Sequence, residues 1–112
     1  ELKHGPIALI EEGQPVIVIV PAKNTPGSLQ PKVISNIQEI KARGAKVIAI
    51  AEQGDEEVAN YADEVFFVPQ THPFMAAQLS VLPLQVFAME LASAKGLDVD
   101  QPRNLAKSVT VE

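Results

Sequence analysis

Gln14-Pro15-Val16-Ile17-Val18-Ile19-Val20-Pro21 decides the fold class of this 112-residue chain. Its run of β-branched residues, bracketed by prolines and without polar alternation, is what a parallel strand covered on both faces looks like. The pattern returns in Lys46-Val47-Ile48-Ala49-Ile50-Ala51, and again in Glu64-Val65-Phe66-Phe67-Val68 ahead of Pro69. Three such strands, each flanked by helical segments, predict a parallel α/β sheet rather than a sandwich.

The intervening segments fit that plan. Leu29, Val33, Ile37 and Ile40 form one stripe of a helix expected over Ser28 to Arg43, with Ser28 as N-cap, Pro31 in the first turn and Gly44 as the stop. A shorter helix is expected from Glu56 to Tyr61, capped by Asp55. Crossovers of this kind are nearly always right-handed, which gives a doubly wound, three-layer αβα arrangement. No internal repeat or low-complexity segment interrupts it.

The longest expected element runs from Phe74 to Lys95 and is closed by Gly96. It is apolar almost all round and, at ~1.5 Å per residue, spans roughly 31 Å, enough to cross a bilayer. Gln78, Gln85 and Glu90 interrupt the run, Pro83 sits inside it, and no aromatic belt or basic flank surrounds it. A helix covered by the sheet and by a second domain or subunit is the better reading. Left alone, it would present a large apolar patch of the partner-binding kind. Residues 97–112 lack periodicity and read as an extended tail, with room for one helical turn around Pro102 to Ala106.

Composition excludes several functions. The net charge of -5 and the lack of a Lys/Arg cluster argue against a nucleic-acid platform. Zero cysteines exclude disulfides, thiol nucleophiles and Cys-based zinc sites. Two histidines far apart, with no paired carboxylate at ligand spacing, leave no case for a metal, and no cofactor fingerprint is present. The opening Glu1-Leu2-Lys3-His4-Gly5-Pro6 has neither initiator Met nor signal core, so the chain is expected to be a piece of something longer.

Chemistry-bearing candidates are few. Asn24-Thr25-Pro26-Gly27-Ser28 lies after the first strand at a helix start, where phosphate can bind, but a turn plus N-cap explains it as well. His72 precedes the long helix at the carboxyl edge of the sheet, where open α/β sheets place ligands; a plain loop histidine fits equally. His4 can move protons near neutral pH. Lys107, four residues after Arg103, could act as an imine-forming amine if desolvation or that cation lowered its pKa. The residues alone leave it open whether Lys107 is a nucleophile or a solvated tail lysine.

Both ends of the chain together change this reading. Lys3-His4-Gly5-Pro6 near the start and Asp98-Val99-Asp100-Gln101-Pro102-Arg103-Asn104-Leu105-Ala106-Lys107-Ser108-Val109-Thr110-Val111-Glu112 at the end resemble the C-terminal part of the glucosamine-6-phosphate synthase family, the isomerising glutamine–fructose-6-phosphate aminotransferases. Lys-His-Gly-Pro is shared with other sugar isomerase (SIS) domains; the tail is the specific part.

The resemblance implies a flavodoxin-like or Rossmann-like SIS fold missing its first elements, with the second SIS domain over residues 1–96 and a tail over 97–112. It implies a cytoplasmic homodimeric parent with a glutaminase domain, a first SIS domain and no resident cofactor, membrane or nucleic-acid partner. That parent would make glucosamine 6-phosphate from fructose 6-phosphate and glutamine-derived ammonia. On the same resemblance Lys107 forms a Schiff base with C2 of the open-chain sugar. His4 assists ring opening in the partner subunit's site, and the main chain near Ala106 contacts the sugar. The family's general-base glutamate and its phosphate-holding loop would precede Glu1, which makes this piece inactive alone. Two other readings compete: a non-catalytic, sugar-phosphate-binding SIS regulatory module, which has no need of a terminal lysine, and a flavodoxin- or receiver-like domain, for which the acidic cluster and flavin loops are missing.

Overall fold

The computed structural model describes residues 2–101. Two 3-10 turns, Leu2–His4 and Pro6–Leu9, lead into β1 (Pro15–Ile19), α1 (Gln30–Lys41), β2 (Lys46–Glu52), a 3-10 turn at Val58–Asn60, β3 (Glu64–Val68) and α2 (Pro73–Ala94). The three strands are parallel in the order β1-β2-β3, with Ile17 opposite Ile48 and Ile50 opposite Phe66. The expected parallel α/β sheet is therefore present, and β2 is its centre.

Strand alternation divides the apolar residues between two faces. Val47, Ala49 and Ala51 of β2 pack with Ile34, Ile37 and Ile40 of α1, joined by Val20, Ala45 and Val58, to make the buried core. Ile37, Val47 and Val58 are fully buried there. The opposite face carries Ile17, Ile48, Ile50 and Phe66, which line an open apolar groove of about 760 Å³ against Leu79, Leu82, Val86 and Phe87 of α2. The layers are αβα, as the sequence predicts.

Element ends follow from local chemistry. Ser28 lies two residues before the first helical residue, and its Oγ accepts the Gln30 N–H at 3.1 Å while Leu29 takes the cap position. Gly44 ends the turn after α1 at φ +86, where a side chain is strained and a Cβ would collide with the Glu12 carboxylate. α2 begins at Pro73 rather than Phe74, because proline suits the first helical turn. It ends in a Schellman arrangement in which Leu97 N–H donates to Ala92 O at 2.9 Å around a left-handed Gly96. Beyond it, Asp98 Oδ1 accepts from the N–H groups of Asp100 and Gln101 at 2.9 and 3.0 Å, so the described start of the tail is a turn rather than extended chain.

One expectation about a helix needs correction. The segment after β2 makes only the 3-10 turn Val58–Asn60, with Glu57 at its cap position. Asp55 is not a cap: its carboxylate is drawn inward to Gln30. In this chain α2 presents the apolar patch expected of it when alone: Ser80 is its single buried residue, and Phe74, Leu82, Val86 and Phe87 are exposed. It is long and apolar enough to cross a membrane by length and composition.

Candidate functional site

Parallel strands deliver their carboxyl ends to one edge, and the loops that leave there form the usual ligand crevice of an open α/β sheet. In this chain those loops follow Ile19, Glu52 and Val68. They enclose a polar pocket of about 170 Å³ lined by Lys23, Asn24, Glu52, Gln53, Gly54, Asp55 and Gln70.

The pocket is built around buried polar side chains. Gln30, 1% exposed at the start of α1, donates through Nε2 to Asp55 Oδ2 at 3.2 Å and Oδ1 at 3.4 Å, and to Glu57 Oε2 at 3.4 Å. Asp55 is 7% exposed and Glu52 8%. At the rim, Lys23 Nζ lies 2.6 Å from Glu57 Oε2. Each partner favours the other's charged form. The bond to Glu57 raises the Lys23 ammonium above the ordinary lysine value, and the bonds from Lys23 and Gln30 hold Glu57 below the ordinary carboxylate range. Both are solvent-facing, so this pair is easily exchanged for other partners.

The sequence candidates distribute differently. In the loop at 24–28, Thr25 Oγ1 and Ser28 Oγ both donate to Ala22 O, at 3.0 and 2.6 Å, and Ser28 Oγ also accepts from Gln30 N–H. Its hydroxyl donors are spent on the turn and cap, which is the arrangement the turn reading expects. His72 is the N-cap of α2, with Nδ1 accepting the Phe74 N–H at 3.3 Å; it is not among the pocket lining. His4 is exposed on the first 3-10 turn. Its neighbour Lys3 reaches Glu39 in the last turns of α1 at 3.4 Å, which sets this segment toward the end of α1 remote from the polar pocket. Lys107 and Ala106 lie outside the described residues. Among those described, no group of three His, Asp or Glu is placed to hold a metal.

Sequence reasoning missed Gln30, Glu52 and Lys23. The signal that was available is positional: Glu52 ends an apolar strand at the edge where ligands bind.

A three-layer α/β domain with its polar pocket at the carboxyl edge of a parallel sheet is the architecture of sugar-phosphate-handling domains among others, and the comparisons narrow it. The SIS domain profile matches residues 1–95. The chain belongs to the SIS domain family. It is 69% identical over all 112 residues to a glutamine–fructose-6-phosphate aminotransferase (isomerizing) of Leifsonia xyli subsp. xyli, and 59% identical to one of Thermus thermophilus. It spans 18% of the length of each. Among solved structures, the C-terminal domain of glucosamine-fructose-6-phosphate aminotransferase from Francisella tularensis superposes with a TM-score of 0.78 at 37% identity, covering 90% of this chain and 28% of that one.

Proposed function

We propose that this chain is part of the isomerase half of a glutamine–fructose-6-phosphate aminotransferase: the second SIS domain over residues 1–96 and the catalytic tail over 97–112. The observation that carries the reading is the identity of 69% across every residue of the chain, tail included, to a protein of that name. The parent converts fructose 6-phosphate and glutamine-derived ammonia to glucosamine 6-phosphate. This piece is inactive alone.

In this mechanism His4 acts in the partner subunit's site. It takes the proton of the anomeric hydroxyl and returns one to the ring oxygen, opening the ketose and uncovering the C2 carbonyl. Lys107 Nζ then attacks C2. The carbonyl oxygen leaves as water and an imine remains, which makes C2 electrophilic toward ammonia and acidifies the C1 protons. Ammonia replaces the lysine at C2, and transfer of a C1 proton to C2, with the C1 hydroxyl proton passing to the imine nitrogen, turns the ketose imine into the aldose amine. The tail, through the main chain near Ala106, closes over the sugar and keeps water from the imine.

The spent hydroxyls of Thr25 and Ser28 support holding the sugar phosphate elsewhere, in the parent's first SIS domain. The apolar groove and the exposed side of α2 support a covering by the remaining parent chain and by the second subunit of a homodimer. The parent is cytoplasmic on this reading. The test is Lys107→Ala in the full-length parent: glucosamine 6-phosphate formation is lost while glutamine hydrolysis largely survives. Normal product formation by that variant contradicts the proposal.

A further inference from the structure

The apolar groove between the sheet and α2 is an incomplete layer. α2 lies over β2 and β3, and on the same face Ile17 and Ile19 of β1 stay 37% and 47% exposed. Leu79, Leu82, Val86 and Phe87 line the groove from α2, at the spacing of one helical stripe. From Leu79 to Glu90 that stripe runs about 16 Å at ~1.5 Å per residue, about three turns.

The lining selects the backbone of what fills it. Every side chain in it is apolar except Glu64 and Glu90. An extended segment laid there would leave its buried N–H and C=O groups without partners, whereas an α-helix satisfies its own.

The two carboxylates select its charge. Glu64 opens β3, and α2 runs back from the carboxyl edge, so Glu90, late in α2, comes to the same amino edge. No cation lines the groove, and the ion pairs among the described residues involve neither glutamate. A Lys or Arg laid between them is attracted by both. A second copy brings the wrong charge: its free apolar helix is α2, whose single charged residue is Glu90. A face this apolar is of the permanently covered kind. The chain spans 18% of the length of the relatives it matches, which leaves a long polypeptide to supply the cover.

We propose that the groove receives one amphipathic α-helix from elsewhere in the same full-length polypeptide, its apolar stripe against α2 and the sheet and a Lys or Arg between Glu64 and Glu90. This rests on the reading of the chain as part of a longer aminotransferase, which Lys107→Ala judges on its own.

Photo-crosslinking of the full-length protein tests it, with p-benzoylphenylalanine replacing Leu82 in one variant and Val86, one turn further along α2, in another. Each is expected to give an adduct within its own polypeptide, to a segment outside residues 1–112. The two adducts are expected to lie three or four residues apart, as on one face of a helix. Natural side chains test the charges. Glu64→Gln/Glu90→Gln is expected to lower the thermal midpoint of the full-length protein by about 2 °C, and Glu64→Lys/Glu90→Lys to lower it further. Both gaps narrow in about 0.5 M salt. In an empty groove, removing two like charges is neutral or stabilising instead. No adduct, adducts to a second copy or only within residues 1–112, or adducts two residues apart overturn the proposal, and so do midpoints that hold or rise in the charge variants.

Discussion

Asp63 takes both backbone polar groups of Val47: its carboxylate accepts the Val47 N–H at 2.7 Å, and its own N–H donates to Val47 O at 2.9 Å. Lys41 Nζ approaches the other carboxylate oxygen at 2.8 Å. One side chain therefore ties the end of α1, the start of β2 and the approach to β3.

That tie makes stability depend on acid. The Lys41 bond, then the Val47 N–H, hold the Asp63 carboxyl below its ordinary value. A carboxyl depressed on folding contributes stability that is fully present above its unfolded value, about pH 4, and is lost as pH falls through the lower folded value. Asp63→Asn is expected to lower the urea midpoint at pH 7, and the gap to wild type is expected to narrow on acidification toward about pH 3. An equal gap at both pH values contradicts the assignment.

The core and α2 should answer truncation very differently. Ile37 is 0% exposed, so Ile37→Ala should cost about 2–5 kcal/mol. Phe74, 77% exposed, should cost no more than about 0.5 kcal/mol as Phe74→Ala in this chain. Urea unfolding of both variants measures the contrast.

Leu82 lines the groove yet remains half exposed. Leu82→Glu is therefore expected to leave the isolated chain folded, within about 1 kcal/mol, while lowering the thermal stability of the full-length parent, in which the proposed function has this face covered. Circular dichroism of the one and calorimetry of the other compare them. A parent unaffected by the charge speaks against a covered α2.

The exposed position of His4 makes its proposed service across the dimer measurable. His4→Asn should reduce product formation with little change in folding. Mixed dimers of His4→Asn and Lys107→Ala subunits should regain about a quarter of wild-type activity after random exchange, because half the dimers then hold one intact composite site. No regain places His4 in its own subunit's site.

The strands and α1 were legible because their signals are local: β-branched runs between prolines, one apolar stripe and a glycine stop. What was not legible depends on chain that is distant in sequence. Asp55 reads as a cap because aspartate before a helical pattern usually is one, yet Gln30, twenty-five residues away, draws it inward. Glu52 reads as the polar end of a strand until the loops after β1 and β3 close around it. The hydroxyls of Thr25 and Ser28 look free for phosphate until the fold turns both onto Ala22 O. The catalytic expectations for Lys107, Ala106 and His4 came from resemblance at the two ends of the chain, and no periodicity would have supplied them.

The central claim is an imine at Lys107, and borohydride trapping tests it most directly. The full-length parent is incubated with fructose 6-phosphate and borohydride, digested and mapped by mass. The account predicts one sugar-phosphate adduct on Lys107 in the parent and none on the isolated 112-residue chain. An unmodified Lys107 in a parent that still turns over, or an adduct on another lysine, contradicts it.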